Sequence, residues 1–262
     1  PSIPMSEWKG GSATRAAVIL DPIASSASPS PPPSPPPAVR ARGGAPTLRA
    51  KPEPKTIHVI RHGQAEHNVD PKALEKRNTK LTDRGVQQAA SLRERVLALQ
   101  PDVIITSPIL RALQTTYGFA NDNLKDVPVL VVPDARERVS HASHLCELPV
   151  NPAEEAAGGE FTPYDWGLAS SALALAGGSI AEWEKGLMAA DLAGQDSIDA
   201  RGVRLSAWLE ARPEKTLCLV SHGAFLMHLT RDTYFDNCEL RTYALSGGEW
   251  ARVAPAWAAR ES

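Results

Sequence analysis

Ile57-His58-Val59-Ile60-Arg61-His62-Gly63 is a short apolar run that closes on an arginine, a histidine and a glycine. Far downstream, Leu217-Cys218-Leu219-Val220 closes on Ser221-His222-Gly223. Both runs are β-branched and apolar enough to be strands buried on two faces. In an open α/β sheet the carboxyl ends of neighbouring strands meet at one crevice, so the two runs predict two histidines facing a common ligand. Arg61 predicts that the ligand is an anion, because a planar, permanently charged guanidinium is well suited to hold phosphate through paired hydrogen bonds.

Working outward, Val103-Ile104-Ile105-Thr106 and Val129-Leu130-Val131-Val132 repeat the strand type, with helical patterns between them. Alternation of this kind predicts a layered α/β domain from residue 55 to 262. Thr82 is placed to cap a helix reaching about Leu99, where Pro101 stops it. Ser107-Pro108 has the order of a cap followed by a first-turn proline and predicts a second helix that carries Arg111. Residues 139 to 178 are broken by Pro149, Pro152 and Pro163 and read as an excursion over the site. A further helix is predicted over about 196 to 211, ending at Arg212-Pro213.

Residues 1 to 54 have another character. Ser28 to Pro37 is a proline and serine run without amides for a ladder or apolar positions for a core, so the arm is expected not to fold. Its few acids, and its Ser, Ala and Arg content, resemble an organellar transit peptide; a solvated linker is the alternative. The expected location is accordingly the cytoplasm, or a plastid or other organelle if the arm is a targeting segment.

With 262 residues, 42% of them hydrophobic, the chain can bury a proper core, and a net charge of −2 without a basic stripe gives no reason to expect a nucleic-acid or membrane partner. Three cysteines, Cys146, Cys218 and Cys238, form no paired spacing and argue against a disulfide framework or a cysteine-rich zinc site. Oligomeric state is left open.

Taken with Thr106-Ser107-Pro108-Ile109-Leu110-Arg111-Ala112 and Gln114-Thr115, the two histidine motifs resemble those of the histidine phosphatase superfamily, the phosphoglycerate mutase-like fold. Leu81-Thr82-Asp83-Arg84-Gly85 with Gln88-Ala89 is similar to another of its elements. Gly63 to Asn68 and Asn237-Cys238-Glu239-Leu240-Arg241 resemble the plant and fungal phosphoglycerate mutase-like branch. The resemblance implies a three-layer α/β/α sandwich with a mostly parallel central sheet. It also implies His62 as the nucleophile that becomes a transient phosphohistidine, with Arg61, Asn68, Arg111 and His222 around the phosphoryl oxygens and His222 also counted as catalytic.

Glu137 follows the third strand in an Arg136-Glu137 pair like the branch's own, and is the candidate general acid. The alternative is a surface carboxylate paired with Arg136 or Arg138. No metal or other cofactor is expected, since arginines supply the charge neutralisation. The implied activity is hydrolysis of a small phosphorylated metabolite. A mutase would need extra basic residues over the pocket, and residues 139 to 178 contain no lysine or arginine, although Lys72, Lys76 and Lys80 could fold over the mouth. A non-catalytic phosphate-binding scaffold is a further alternative. The chain departs from the branch at His144-Leu145-Cys146-Glu147-Leu148-Pro149, which keeps the branch's His and Cys but not its basic residue. His58 and His228 read as packing or supporting residues, His67 as a cap for the segment after it, His141 and His144 as exposed loop residues, and Trp183, Trp208, Trp250 and Trp257 as core or terminal packing.

Overall fold

A computed structural model describes residues 53–120 and 124–254. The expected arm, apart from its last two residues, and Trp257 lie outside them.

In chain order, β1 (Lys55–Arg61) leads through α1 (Glu66–Val69) and a 3-10 turn (Pro71–Glu75) to α2 (Asp83–Ser91) and α3 (Arg93–Leu99). Next come β2 (Val103–Thr106), α4 (Leu110–Phe119), β3 (Val129–Val131) and two more 3-10 turns (Pro133–Ala135 and Leu145–Glu147). The chain continues with α5 (Pro152–Ala156), α6 (Gly167–Leu175), α7 (Ile180–Leu192), α8 (Gln195–Ala211), β4 (Thr216–Ser221), α9 (Gly223–Thr230), β5 (Leu240–Ser246) and β6 (Glu249–Val253). Strand order is β3-β2-β4-β1-β5-β6, parallel across the first four and antiparallel at β5 and β6.

Side-chain alternation along the strands sorts the core into two layers. Ile57, Val59, Val103, Ile105, Leu217 and Leu219 meet Ile198, Leu205 and Leu209 of α8 and Phe225, Leu226 and Leu229 of α9. On the other face Ile60, Ile104, Cys218 and Val220 meet Ala89, Leu92, Val96, Ala112 and Phe119 from the α2 to α4 side. The result is the expected sandwich, with a mixed sheet at its centre.

Two helix starts and one helix interior show where local patterns stop deciding. Thr82 does cap α2, its hydroxyl accepting from the Gly85 amide at 3.1 Å. The single helix expected as far as Leu99 is divided at Leu92, whose side chain is buried and whose amide bonds to Ala89 rather than one residue further back. Ser107 does not cap α4: the helix begins at Leu110, while the Ser107 hydroxyl accepts from the Ile109 amide at 3.2 Å and lies 2.8 Å from His222 Nε2. The excursion is also more than a covering loop. Its Val150, Phe161, Trp166, Ala169 and Leu173 gather with Trp183, Leu113 and Val131 into a third apolar cluster against α4 and β3. At that sheet edge the Val131 amide donates to the Asp165 carbonyl and the Asp165 amide to the Val129 carbonyl.

Candidate active site

Register brings the predicted residues together. Arg61 on β1 is opposite Ser221 on β4, and Thr106 on β2 is opposite Val220, so His62, His222 and Ser107 leave three adjacent strands at nearly one level. The His62 and His222 ring centroids are 5.1 Å apart. Arg111, fully buried in the first turns of α4, donates from Nε to His62 Nε2 at 3.1 Å. Arg61 lies across from them, its Nη1 donating to the Phe235 carbonyl at 2.8 Å and its guanidinium 4.9 Å over the Tyr234 ring. Its Nε is buried without a partner among the described residues, as is His222 Nδ1.

The loop after β1 is held from all sides. Gly63 N donates to Thr115 Oγ1 at 2.9 Å, and that hydroxyl donates to the Arg111 carbonyl at 2.7 Å. Gln64 N donates to Gln88 Oε1, and Leu81 N to Gln114 Oε1, both at 2.9 Å. Asn237 Nδ2 donates to the His62 carbonyl at 3.0 Å, and the Cys238 amide to the Arg61 carbonyl at 3.1 Å. The approach of α2 requires its glycine: a β-carbon on Gly85 would lie 2.0 Å from the Gln64 carbonyl oxygen. The secondary motifs thus have a common physical task, fixing the backbone that carries His62.

His62 has one consistent protonation pattern. Its Nδ1 is 2.7 Å from the Gly63 carbonyl, which can only accept, and its Nε2 faces the Arg111 guanidinium, which can only donate. The ring therefore carries its proton on Nδ1 and a lone pair on Nε2. Burial, then Arg111 and Arg61, hold its pKa well below the ordinary histidine value, so it is neutral at pH 7. His222 is depressed by burial and the same arginines, with His62 and His67 adding to the effect.

Glu137 is buried, and neither Arg136 nor Arg138 holds its carboxylate through a side chain, which removes the surface-pair alternative. Arg138 offers only its amide, at 3.0 Å, while Ala224 N and Phe225 N at the start of α9 donate at 3.1 and 2.8 Å. Burial, then the Glu147 carboxylate, push its pKa upward against the pull of Arg111 and the amides. Desolvation outweighs hydrogen bonding here because no solvent shares the charge. Arg136 points elsewhere, into a buried ion pair with Asp191 at 2.8 Å, and Arg201 donates to the Arg136 carbonyl at 2.6 Å. These contacts fix the backbone on the N-terminal side of Glu137.

Asn68 is exposed. Its Oδ1 accepts from Ala65 N at 3.0 Å, and its Nδ2 is 3.0 Å from His67 Nε2. His67, read from sequence as a capping residue, stands with its ring centroid 5.6 Å from that of His62. Burial and then Arg111 and Arg61 push its pKa down to about 3. The four-residue step from Gly63 to His67 was the available clue. Ser107 and Glu147 were also missed, the first because it resembled a cap and the second because nothing local announces a contact with Arg111. His58, bonded to Thr242 at 3.0 Å inside the sheet, packs as expected; His141 and His144 form a partly exposed ring pair with serine partners. Lys72, Lys76 and Lys80 are all exposed.

Known proteins resemble this chain in sequence and in fold. The family model described as histidine phosphatase superfamily (branch 1) matches residues 57–142. Phosphoglycerate mutase-like protein 1 of Arabidopsis thaliana is 28% identical over 234 residues, covering 73% of this chain and 81% of its own. Mannitol-1-phosphatase of Eimeria tenella is 33% identical over 94 residues, 32% of this chain and 30% of its own. Among solved structures, the alpha-ribazole phosphatase of Shigella flexneri superposes with a TM-score of 0.51 at 20% identity, over 76% of this chain and 95% of that one, which is a likeness of fold. Residues 57–142, which carry His62, Arg111 and Glu137, thus match the histidine phosphatase superfamily, and over 73% of its length the chain is similar to a plant phosphoglycerate mutase-like protein.

Proposed function

We propose that the protein is a metal-independent phosphatase that hydrolyses a small phosphomonoester through a phosphohistidine on His62. The observation that carries this reading is the lone pair on His62 Nε2, fixed by the Gly63 carbonyl behind the ring and fronted by a buried arginine. In the first step Nε2 attacks phosphorus and the bond from phosphorus to the ester oxygen breaks. Glu137 supplies the proton that the leaving oxygen takes. The phosphorylated ring is cationic, and the Gly63 carbonyl accepting from Nδ1 stabilises it. Water then attacks the phosphohistidine, Glu137 takes the water's proton, and inorganic phosphate leaves with His62 neutral again. Arg61, Arg111 and His222 offset charge on the transferring group, with Arg61 Nε and His222 Nδ1 as open positions a phosphoryl oxygen would satisfy. Asn68 Nδ2 is a further donor at the mouth.

Relatives named as phosphatases favour hydrolysis, and the absence of lysine and arginine from residues 139 to 178 argues in the same direction, since a mutase must retain a doubly anionic intermediate. The plant relatives named mutase-like keep the mutase reading alive. Turnover of an aryl phosphate in excess chelator, lost in His62→Ala, is the expected result. Isomer exchange that depends on a bisphosphate would instead indicate a mutase, and phosphate binding with neither activity a scaffold.

A further inference from the structure

We infer that Glu147 is a positioning residue of this reaction centre, one that holds Arg111 against His62 and stations a second carboxylate beside Glu137. The assignment deepens the phosphatase reading and rests on it for the step it serves.

Arg111 is gripped from behind by two consecutive residues. Its Nη1 donates to the Cys146 carbonyl at 2.6 Å and its Nη2 to Glu147 Oε2 at 2.7 Å, which leaves Nε directed at His62 Nε2. A guanidinium is rigid and planar, so fixing both terminal nitrogens fixes the third. The grip is itself anchored: the Leu145–Glu147 turn closes on its own backbone, with Glu147 N donating to the His144 carbonyl and Leu148 N to the Leu145 carbonyl, and it packs against the Pro71–Glu75 turn. The other Glu147 oxygen accepts from the Cys146 thiol at 3.6 Å, a group that burial and then Glu147 push up to about 12, so it stays protonated. Both Glu147 oxygens are thus occupied, one by a guanidinium and one by a thiol donor.

An anion-binding site gains no affinity from a buried carboxylate on its own arginine, so the arrangement calls for another benefit. The groups facing Glu137 give it: Glu147 from the turn, Arg111 from α4, Arg201 from α8 and the first amides of α9. Among them only Glu147 shares the sign of Glu137. Two buried carboxylates near one another do not both ionise readily. The Glu147 carboxylate raises the Glu137 pKa, second only to burial, which favours a proton on Glu137, where the leaving oxygen needs it.

The test compares Glu147→Gln, which keeps an acceptor for Arg111 but loses the charge, with Glu147→Ala, which loses both. With an alkyl phosphate, whose poor leaving group needs the acid, Glu147→Gln should move the alkaline limb of the kcat profile to lower pH, and by more than it moves the limb for an aryl phosphate. Glu147→Ala should also slow His62 phosphorylation by aryl phosphate, on the order of a hundredfold, the scale for a catalytic group displaced by about an ångström. A purely structural Glu147 would alter stability and leave the limb where it is. Should the alanine variant fail to fold, the glutamine variant decides. Independently of turnover, carbon-13 NMR of the Glu137 carboxyl in the full chain should show it titrating at lower pH in Glu147→Gln than in the parent. If the parent shows no turnover, the phosphatase reading falls while this titration still decides the inference. An unmoved limb together with an unmoved titration would overturn it.

Discussion

The loop after β1 and the excursion over residues 139 to 178 both reach Arg111, yet they are built differently. The first is four residues between strand end and helix start, its backbone amides donating to the Thr115 and Gln88 side chains and its outer side wedged by Gly85. The second carries its own apolar cluster against α4 and β3 and sends in one short turn bearing Cys146 and Glu147. On the proposed mechanism the contrast separates two duties: the strand-end loop holds the His62 ring still, and the excursion sets how charge is shared around it.

If that division is right, damage to the two regions should not look alike. The larger effect on turnover belongs to the loop. Gly85→Ala forces a β-carbon into the Gln64 carbonyl, and overpacking of this kind costs about 1–3 kcal/mol. Because the displaced backbone carries His62, kcat should fall even in molecules that remain folded, as activity per folded protein below the melting transition would show. Leu173→Ala in the excursion cluster should cost a comparable or larger amount of stability, about 2–5 kcal/mol for a buried leucine, and leave kcat for an aryl phosphate near the parent value at temperatures where the protein is folded. Equal loss of kcat in the two variants would erase the distinction.

A smaller effect follows from protons. His62, His67, His222 and His58 all have folded-state pKa values below the unfolded value of 6.5, chiefly through burial, with His58 near 4 and His67 near 3. The unfolded chain therefore binds more protons than the folded one below about pH 6.5, and stability present above that pH is lost as pH falls towards the folded values. Three of the four imidazoles sit at the proposed phosphate site, where an added anion would offset the arginines that depress them. Melting temperature should fall between pH 6.5 and 4.5, and less steeply in orthophosphate. A pH-independent melting temperature would count against buried neutral histidines, and an identical slope with phosphate would place the anion elsewhere.

How far the sequence could be read follows the same division. The strands were visible because Thr56 to Ile60 and Leu217 to Val220 are short apolar runs whose ends alone decide where His62 and His222 go. Thr82 was visible as a cap because the bond to Gly85 is local. Ser107 looked like a cap for equally local reasons, and its hydroxyl went to the Ile109 amide and the His222 ring, a partner 115 residues away. Glu147 lies 36 residues from the arginine it holds, in a stretch whose prolines and glycines hide any period. His67 read as a cap for the segment after it, whereas its ring stands 5.6 Å from that of His62, a neighbour that only the folded chain supplies.

The most direct test of the account is to quench the protein during turnover of a phosphorus-labelled substrate in excess chelator and map the label. One acid-labile phosphoryl group on Nε2 of His62, absent in His62→Ala along with product formation, is the predicted result. Product release that survives in His62→Ala, or label carried on any other residue, would contradict it.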